Sequence, residues 1–313
     1  MTYSIIARDP TTGELGIALQ SRYFAAGRIV PWIEAGVGVI ASQSFANPVC
    51  GHETLRLLRS GLEPQHILEK LLSEDPGAAM RQVAILDVQG RIAVHTGTKC
   101  VSAAGHAIGT NCCAQANMMA QDTVWQAMVH AFENARGEIA DRLLAAMEAA
   151  EHESGDVRGK QAASLIVVSG RSSGVSKLDR AVDLRVDDHP DPVGEVKRLL
   201  SYSRVHQRAN QAIDKVLAND LAGALADLDV CCAAYPNEPE FLFRRVLVLL
   251  PLGRIDEARQ VLQQAHAIHT GWSELLLRFA DAGVIPVDRG MLEPLVASLA
   301  SGVRDTPNKV KKP

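Results

Sequence analysis

Apolar positions at the start of the chain come in short runs separated by turn residues. Tyr3 to Ala7 and Leu15 to Leu19 are two such runs, and Asp9-Pro10-Thr11-Thr12-Gly13 between them is a turn cluster. The pattern predicts a β-hairpin that begins the fold. Gly36 to Ala41 predicts a third strand, with glycines that suit close backbone approach. The spacing then changes. A helix is expected from about Gly51 to Arg59. A second starts at Pro64, carries Ile67, Leu68, Leu71 and Leu72 on one face, and stops before Asp75-Pro76. Gln82 to Asp87 and Arg91 to His95 predict another hairpin across Val88-Gln89-Gly90. An extended segment is expected near residues 107–117, then helices over about 123–134 and 138–151. Ala162 to Val168 and Ala181 to Val186 read as the last strands, followed by a helix from about Pro192 past Leu200. Hairpins dominate, so the sheets are mainly antiparallel, and the apolar faces suit helices stacked outside two packed sheets. The fold class expected is α+β.

From about Arg204 the texture is helical throughout. Leu221, Ala224 and Leu228 recur as Ile255, Ala258 and Leu262, each 34 residues later. That is the period of a tetratricopeptide repeat, in which small residues let paired helices pack closely. Two units fit, fewer than a free-standing array needs, so the segment is expected to dock on the main domain or on another copy of the chain. The organisation expected is a domain over 1–203, a tetratricopeptide-like segment over 204–300, and a disordered basic tail over 301–313.

Composition narrows the class. The 313 residues are 47% hydrophobic but only 4% aromatic, so the core is built from Ala, Val, Ile and Leu. A net charge of −4 argues against nucleic-acid or membrane-surface binding. With no signal peptide and no apolar stretch of membrane-spanning length, a cytoplasmic protein is expected. The six cysteines include two adjacent pairs, Cys112-Cys113 and Cys231-Cys232, which do not match zinc spacing. They read as buried small hydrophobes, and neither a metal nor a cofactor is expected.

Candidate chemistry centres on Thr2. Removal of Met1 leaves a hydroxyl and a free α-amine on one residue, a nucleophile and base together. An α-amine is about one-third free base near pH 7.5, so no separate histidine is needed. Around a hairpin turned by residues 9–13, Arg22 comes back beside Thr2, where a fixed positive charge lowers the amine's pKa and stabilises developing negative charge. Asn117 offers a side-chain donor for an oxyanion. Asp156, Arg158 and Gln161 form a dense polar cluster, and Arg185, Asp187, Asp188 and His189 repeat that pattern at the next strand end. Asn47 precedes a proline in a loop near the same cleft. A Cys50 nucleophile with His52 as base is a weaker alternative.

The stretches TYSIIARDPTTGELGIALQSRYFAAG, GVGVIASQSFANP, DVQGRIAVHTG, GDVRGKQAASL and DLRVDDHPDP run through most of residues 2–200. On these the chain resembles the bacterial domain of unknown function 1028 family, whose members have an N-terminal-nucleophile (Ntn) hydrolase fold. The resemblance implies a four-layer αββα sandwich, with Thr2 at the end of the first strand facing the site and Met1 removed. The family usually has glycine where this chain has Ala116. Many Ntn hydrolases place a lysine near the nucleophile, but no lysine occurs before Lys70, which leaves Arg22 for that role.

The function expected is an Ntn-type amidohydrolase with Thr2, Arg22 and Asn117 as catalytic residues. Asn47, Asp156, Arg158, Gln161, Arg185, Asp187 and His189 are its expected substrate contacts. The substrate is a small amide or peptide-like molecule, and a homo-oligomer is expected. The rival reading is a non-catalytic Ntn-fold scaffold that recruits a protein partner through its helical repeats.

Overall fold

The computed structural model describes residues 2–300. Met1 and the basic tail expected over 301–313 lie outside the described residues. The chain divides into two compact units, with the boundary between Leu200 and Ser201.

The first unit opens with strands β1 (Thr2–Arg8) and β2 (Leu15–Ser21), paired antiparallel with Thr2 opposite Ser21. Asp9 closes the turn between them. Its Oδ1 accepts the backbone N–H groups of Thr11 and Thr12 at 2.8 and 3.0 Å, and Gly13 sits at φ 78°, where a side chain is strained. Strands β3 (Pro31–Glu34) and β4 (Gly38–Ser44) follow. The sequence reading missed β3, whose short Pro-Trp-Ile-Glu run carries no alternation. Helices α1 (Pro48–Arg59) and α2 (Pro64–Glu74) come next, each with proline in its first turn, where the missing N–H is not needed.

The hairpin of β5 (Arg81–Asp87) and β6 (Ile92–Thr96) has its turn at Gly90. The single extended segment expected near residues 107–117 is two strands, β7 (Gly105–Gly109) and β8 (Cys112–Ala116). They reverse at Asn111, at φ 59°, a conformation that asparagine tolerates better than most residues. Helices α3 (Val124–Asn134) and α4 (Ile139–His152) precede β9 (Ala162–Val168) and β10 (Arg180–Val186).

All strand pairs are antiparallel. One sheet has the order β10-β9-β2-β1-β8-β7, and the other β3-β4-β5-β6. Alternation decides where each side chain goes. Tyr3, Ile5 and Ala7 of β1 pack with Val124, Phe132, Leu143 and Met147 of α3 and α4. Ile6, on the opposite face, joins Leu15, Ile17, Leu19, Ile166, Val39, Ala41, Ala84 and Leu86 in a core between the two sheets. Ile40, Val83 and Ile85 face outward from the second sheet and are covered by Leu55, Leu58, Ile67 and Leu68 of α1 and α2. The first unit is thus a mixed α+β structure with two facing antiparallel sheets and helices on their outer faces.

Helix α5 (Pro192–Leu217) begins in the first unit, where Val193, Val196 and Leu200 join the core formed by the larger sheet with α3 and α4. Its later turns begin the second unit, which is helical: α6 (Leu221–Ala234), α7 (Pro239–Leu249), α8 (Ile255–Ile268), α9 (Gly271–Asp281) and α10 (Arg289–Ala300). Leu221 and Ile255 are the first residues of α6 and α8, helices of 14 residues each. Ala224, Leu228, Ala258 and Leu262 are all buried at equivalent positions, where alanine permits close helix contact. Among the described residues, no helix is long and apolar enough to cross a membrane.

Candidate active site

Thr2 lies on the inter-sheet face of β1, in phase with Ser4 and Ile6, and is 3% exposed. Its Oγ1 donates to Ser21 Oγ over 3.1 Å. Its carbonyl oxygen accepts from Asn117 N at 3.2 Å and Gln43 Nε2 at 3.0 Å, with Asn117 Nδ2 at 3.5 Å. Asn117 stands just past the end of β8, which neighbours β1, so the strand pairing itself brings residues 2 and 117 together. Arg22 follows the last residue of β2. It is close in the chain to Ser21, but its side chain is exposed, and its backbone N–H donates to Asp156 Oδ2 at 3.2 Å.

The two sheets meet at this end through amides rather than hydrocarbon. Ser4, Gln43, Gln82, Gln115 and Asn117 are all buried. Gln43 Nε2 also reaches Gln82 Oε1 at 2.8 Å and Gln115 O at 3.2 Å, and its Oε1 accepts from Ser4 Oγ at 2.7 Å. Gln82 Nε2 lies 2.9 Å from Ala116 O, 3.1 Å from Gly105 O and 3.0 Å from Thr96 Oγ1. Backbone carbonyls can only accept, so these contacts fix which end of each amide is nitrogen. The polarity passes to Asn117, whose Nδ2 donates to Gln82 Oε1 at 2.8 Å. Asn117 Oδ1 is then left buried without a partner.

The sequence reading missed Gln43, Gln82 and Gln115. A signal existed: each interrupts a buried strand with an amide, at strand ends that the register places together. Burying an amide is unfavourable unless it is hydrogen-bonded.

The polar cluster after α4 forms a second group. The Asp156 carboxylate is buried and accepts from Arg158 Nε at 3.0 Å, Arg158 Nη2 at 2.7 Å and Arg158 N at 3.0 Å, besides Arg22 N. The forked pairing braces the loop, and the Arg22 contact ties it to the end of β2. The Tyr3 hydroxyl donates to Glu151, which also pairs with Lys160. Burial foremost, with the Glu151 charge, pushes the Tyr3 phenol well above its usual range, so it stays a neutral donor. Gln161 Nε2 donates to Asp188 Oδ1 at 3.1 Å, and Gln161 O accepts from His189 N at 2.8 Å. His189 Nδ1 accepts from Asp191 N at 3.0 Å.

Arg185 pairs with Asp187 at 2.7 Å on the exposed face of β10 and lines a cleft that includes none of Thr2, Asn117 and Arg158. Asn47 caps α1 through its side chain, accepting Val49 N at 3.0 Å, and lines a different cavity beside Cys50. Asn117 is therefore the expected site residue in contact with Thr2. Arg22, Asp156 and Arg158 make a linked group, Gln161 and His189 another, and Asn47 and Arg185 stand apart.

Cys50, Cys112 and Cys113 are poor nucleophiles. Burial pushes Cys112 and Cys113 up to about 12 and raises Cys50 as well, while His52 is exposed on α1. Among the described residues, no three His, Cys, Asp or Glu side chains form a metal-binding group.

No curated protein matches the chain. A crystal structure from Silicibacter pomeroyi, of a protein assigned to the family DUF1028, is similar at 32% identity with a TM-score of 0.58. The match covers 64% of this chain and 88% of that one. Residues 2–196 match the profile of the family of unknown function DUF1028, and the chain belongs to that family.

Proposed function

We propose that the first unit is an Ntn-type amidohydrolase with the αββα layering of that fold, acting through Thr2 after removal of Met1. One observation carries the reading. A buried amide network joining both sheets converges on the carbonyl of residue 2, whose hydroxyl meets the buried Ser21 hydroxyl, where simple sheet packing calls for hydrocarbon. The Cys112 and Cys113 thiols, by contrast, are held protonated.

In the proposed reaction, Thr2 Oγ1 attacks the carbonyl carbon of a small amide and its α-amine takes the hydroxyl proton. The tetrahedral oxyanion accepts from Asn117 Nδ2. One N–H of that group is committed to Gln82, and the other makes only the long 3.5 Å contact to Thr2 O. Collapse breaks the C–N bond, and the leaving amine takes the proton from the α-ammonium. Water then attacks the acyl ester, the amine again acting as base, and frees the acid and Thr2. Arg22 supplies positive charge near the amine. Arg158, with Asp156 and Gln161, shapes the substrate side, and an anionic substrate group pairs with its guanidinium.

A β-lactone probe tests the reading. Intact mass should show loss of Met1, and the probe should add one equivalent at Thr2. Thr2→Ser should retain labelling, and Thr2→Ala should abolish it. Retained Met1 in most molecules, or labelling at Cys50 or Cys112, rejects the mechanism. The helical pairs α6–α7 and α8–α9, with matched starts and burial, support the second reading: a tetratricopeptide-like platform for a protein partner. It is favoured if processed protein is inert to the probe and co-purifies with one defined partner.

A further inference from the structure

The outer edge of the larger sheet carries a feature that the Thr2 chemistry does not use. A cavity of about 360 Å³ lies beside β9, β10 and β3, with Ser164, Arg180, Arg185, Arg28 and Trp32 in its wall. Strand β2 separates β9 from β1, with Leu19 standing between Ser164 and Ser4 in register.

Three observations mark it as a built site. First, Ser164 is fully buried, lines the cavity, and its Oγ has no hydrogen-bond partner among the described residues. A buried hydroxyl without a partner is uncommon, and this residue lies in the cavity wall. Second, the guanidinium of Arg28 has no acceptor partner among the described residues, while Arg180 and Arg185 each carry an exposed carboxylate partner, Asp183 and Asp187. The cavity therefore has one surplus positive charge. Its two ion pairs are solvent-exposed, the weak kind that a ligand anion can displace. Third, the floor is shaped by a glycine. A Cβ at Gly27 would lie 2.9 Å from both Arg185 Cγ and Ser164 Cβ, so only glycine lets these side chains converge. The opposite wall is the Trp32 indole, seated against Gly51 of α1 with its N–H on Ile29 O at 3.3 Å.

We propose that this cleft binds a small organic anion, a carboxylate or phosphate on an apolar body. Arg28 and Arg185 take the anionic group, Ser164 Oγ donates to it, and the body lies against Trp32. Guanidinium groups suit planar and tetrahedral oxyanions alike, and the indole face suits the apolar part. The proposal is independent of the reading of Thr2.

The test is calorimetric titration of the full chain with sodium benzoate and, separately, with sodium phosphate, at ionic strength held constant with sodium chloride. Saturable one-to-one binding of at least one anion is expected. Arg28→Gln and Arg185→Gln should each weaken it tenfold or more, and Ser164→Ala several-fold. Arg56→Gln, on α1 and paired with Glu53, should bind as wild type. Both arginines are exposed, so their variants should keep the native circular dichroism. Binding of benzoate alone assigns a carboxylate on a ring, and binding of phosphate assigns a phosphoryl group. Saturation by neither anion, or unchanged affinity in both arginine variants, overturns the proposal.

Discussion

The side-chain amide of Gln43 donates to the backbone carbonyl of Thr2 over 3.0 Å, tying a strand of the smaller sheet to the first strand of the larger. The same nitrogen reaches Gln82 Oε1, so one side chain on β4 both holds residue 2 and sets the polarity of the amide that orients Asn117.

Gln82→Leu should therefore do more than remove one contact. It strips acceptors from Gln43 and Asn117 and donors from the carbonyls of Gly105 and Ala116. With a buried unsatisfied group costing about 1–3 kcal/mol, a loss of about 2–4 kcal/mol is expected. Urea unfolding measures it, and a midpoint equal to wild type would show that the network carries no stability.

Asp156→Asn tests the loop that joins Arg22 to Arg158. The substitution removes the charge that holds the Arg158 fork, and destabilisation of about 2 kcal/mol is expected. Trypsin cleavage after the newly released Arg158 should quicken. Equal cleavage rates in both proteins would mean that the loop is held by other contacts.

The Cys112 and Cys113 thiols, raised to about 12 by burial, make a pH prediction. The folded state binds these protons more tightly than the unfolded chain does. Their contribution is fully present below the unfolded thiol pKa of about 8.5 and is lost as pH rises through about 12. Each thiol should lower stability by about 1.4 kcal/mol per pH unit inside that window. Tyr3, also raised, adds in the same direction at higher pH. Thermal midpoints between pH 8 and 11 should fall less steeply in Cys112→Ala/Cys113→Ala than in wild type. Parallel slopes would contradict the assignment.

A fragment ending at residue 203 retains Val193, Val196 and Leu200, the part of α5 that belongs to the first unit's core. It should be soluble and melt in one cooperative transition. A molten fragment, binding a hydrophobic dye with no thermal transition, would show that the first unit needs the helices that follow.

Much of the fold was legible because its signals are local. Asp9 to Gly13 announced the first hairpin, since an aspartate that closes its own turn and a glycine at positive φ act within a few residues. The strands Ala162–Val168 and Arg180–Val186 were visible as apolar or alternating runs. The first residues of α6 and α8 were marked by a repeat whose spacing survives without any knowledge of packing. β3 was not legible, because its four residues take their strand character from pairing with β4, 32 opposite 40 and 33 opposite 39.

The site divides in the same way. The chain by itself determined that a threonine follows Met1 at the head of a strand, and that a hairpin returns the end of the second strand to its side. Only the tertiary structure decided that Asn117 meets Thr2, because their separation of 115 positions is closed by sheet register. It alone decided that Gln43 and Gln82 belong with them and that Arg185 does not. An amide in a strand looks the same in sequence whether it faces water or a partner across two sheets. Its role follows from burial, which requires its hydrogen bonds to be satisfied by whatever the packing brings within reach.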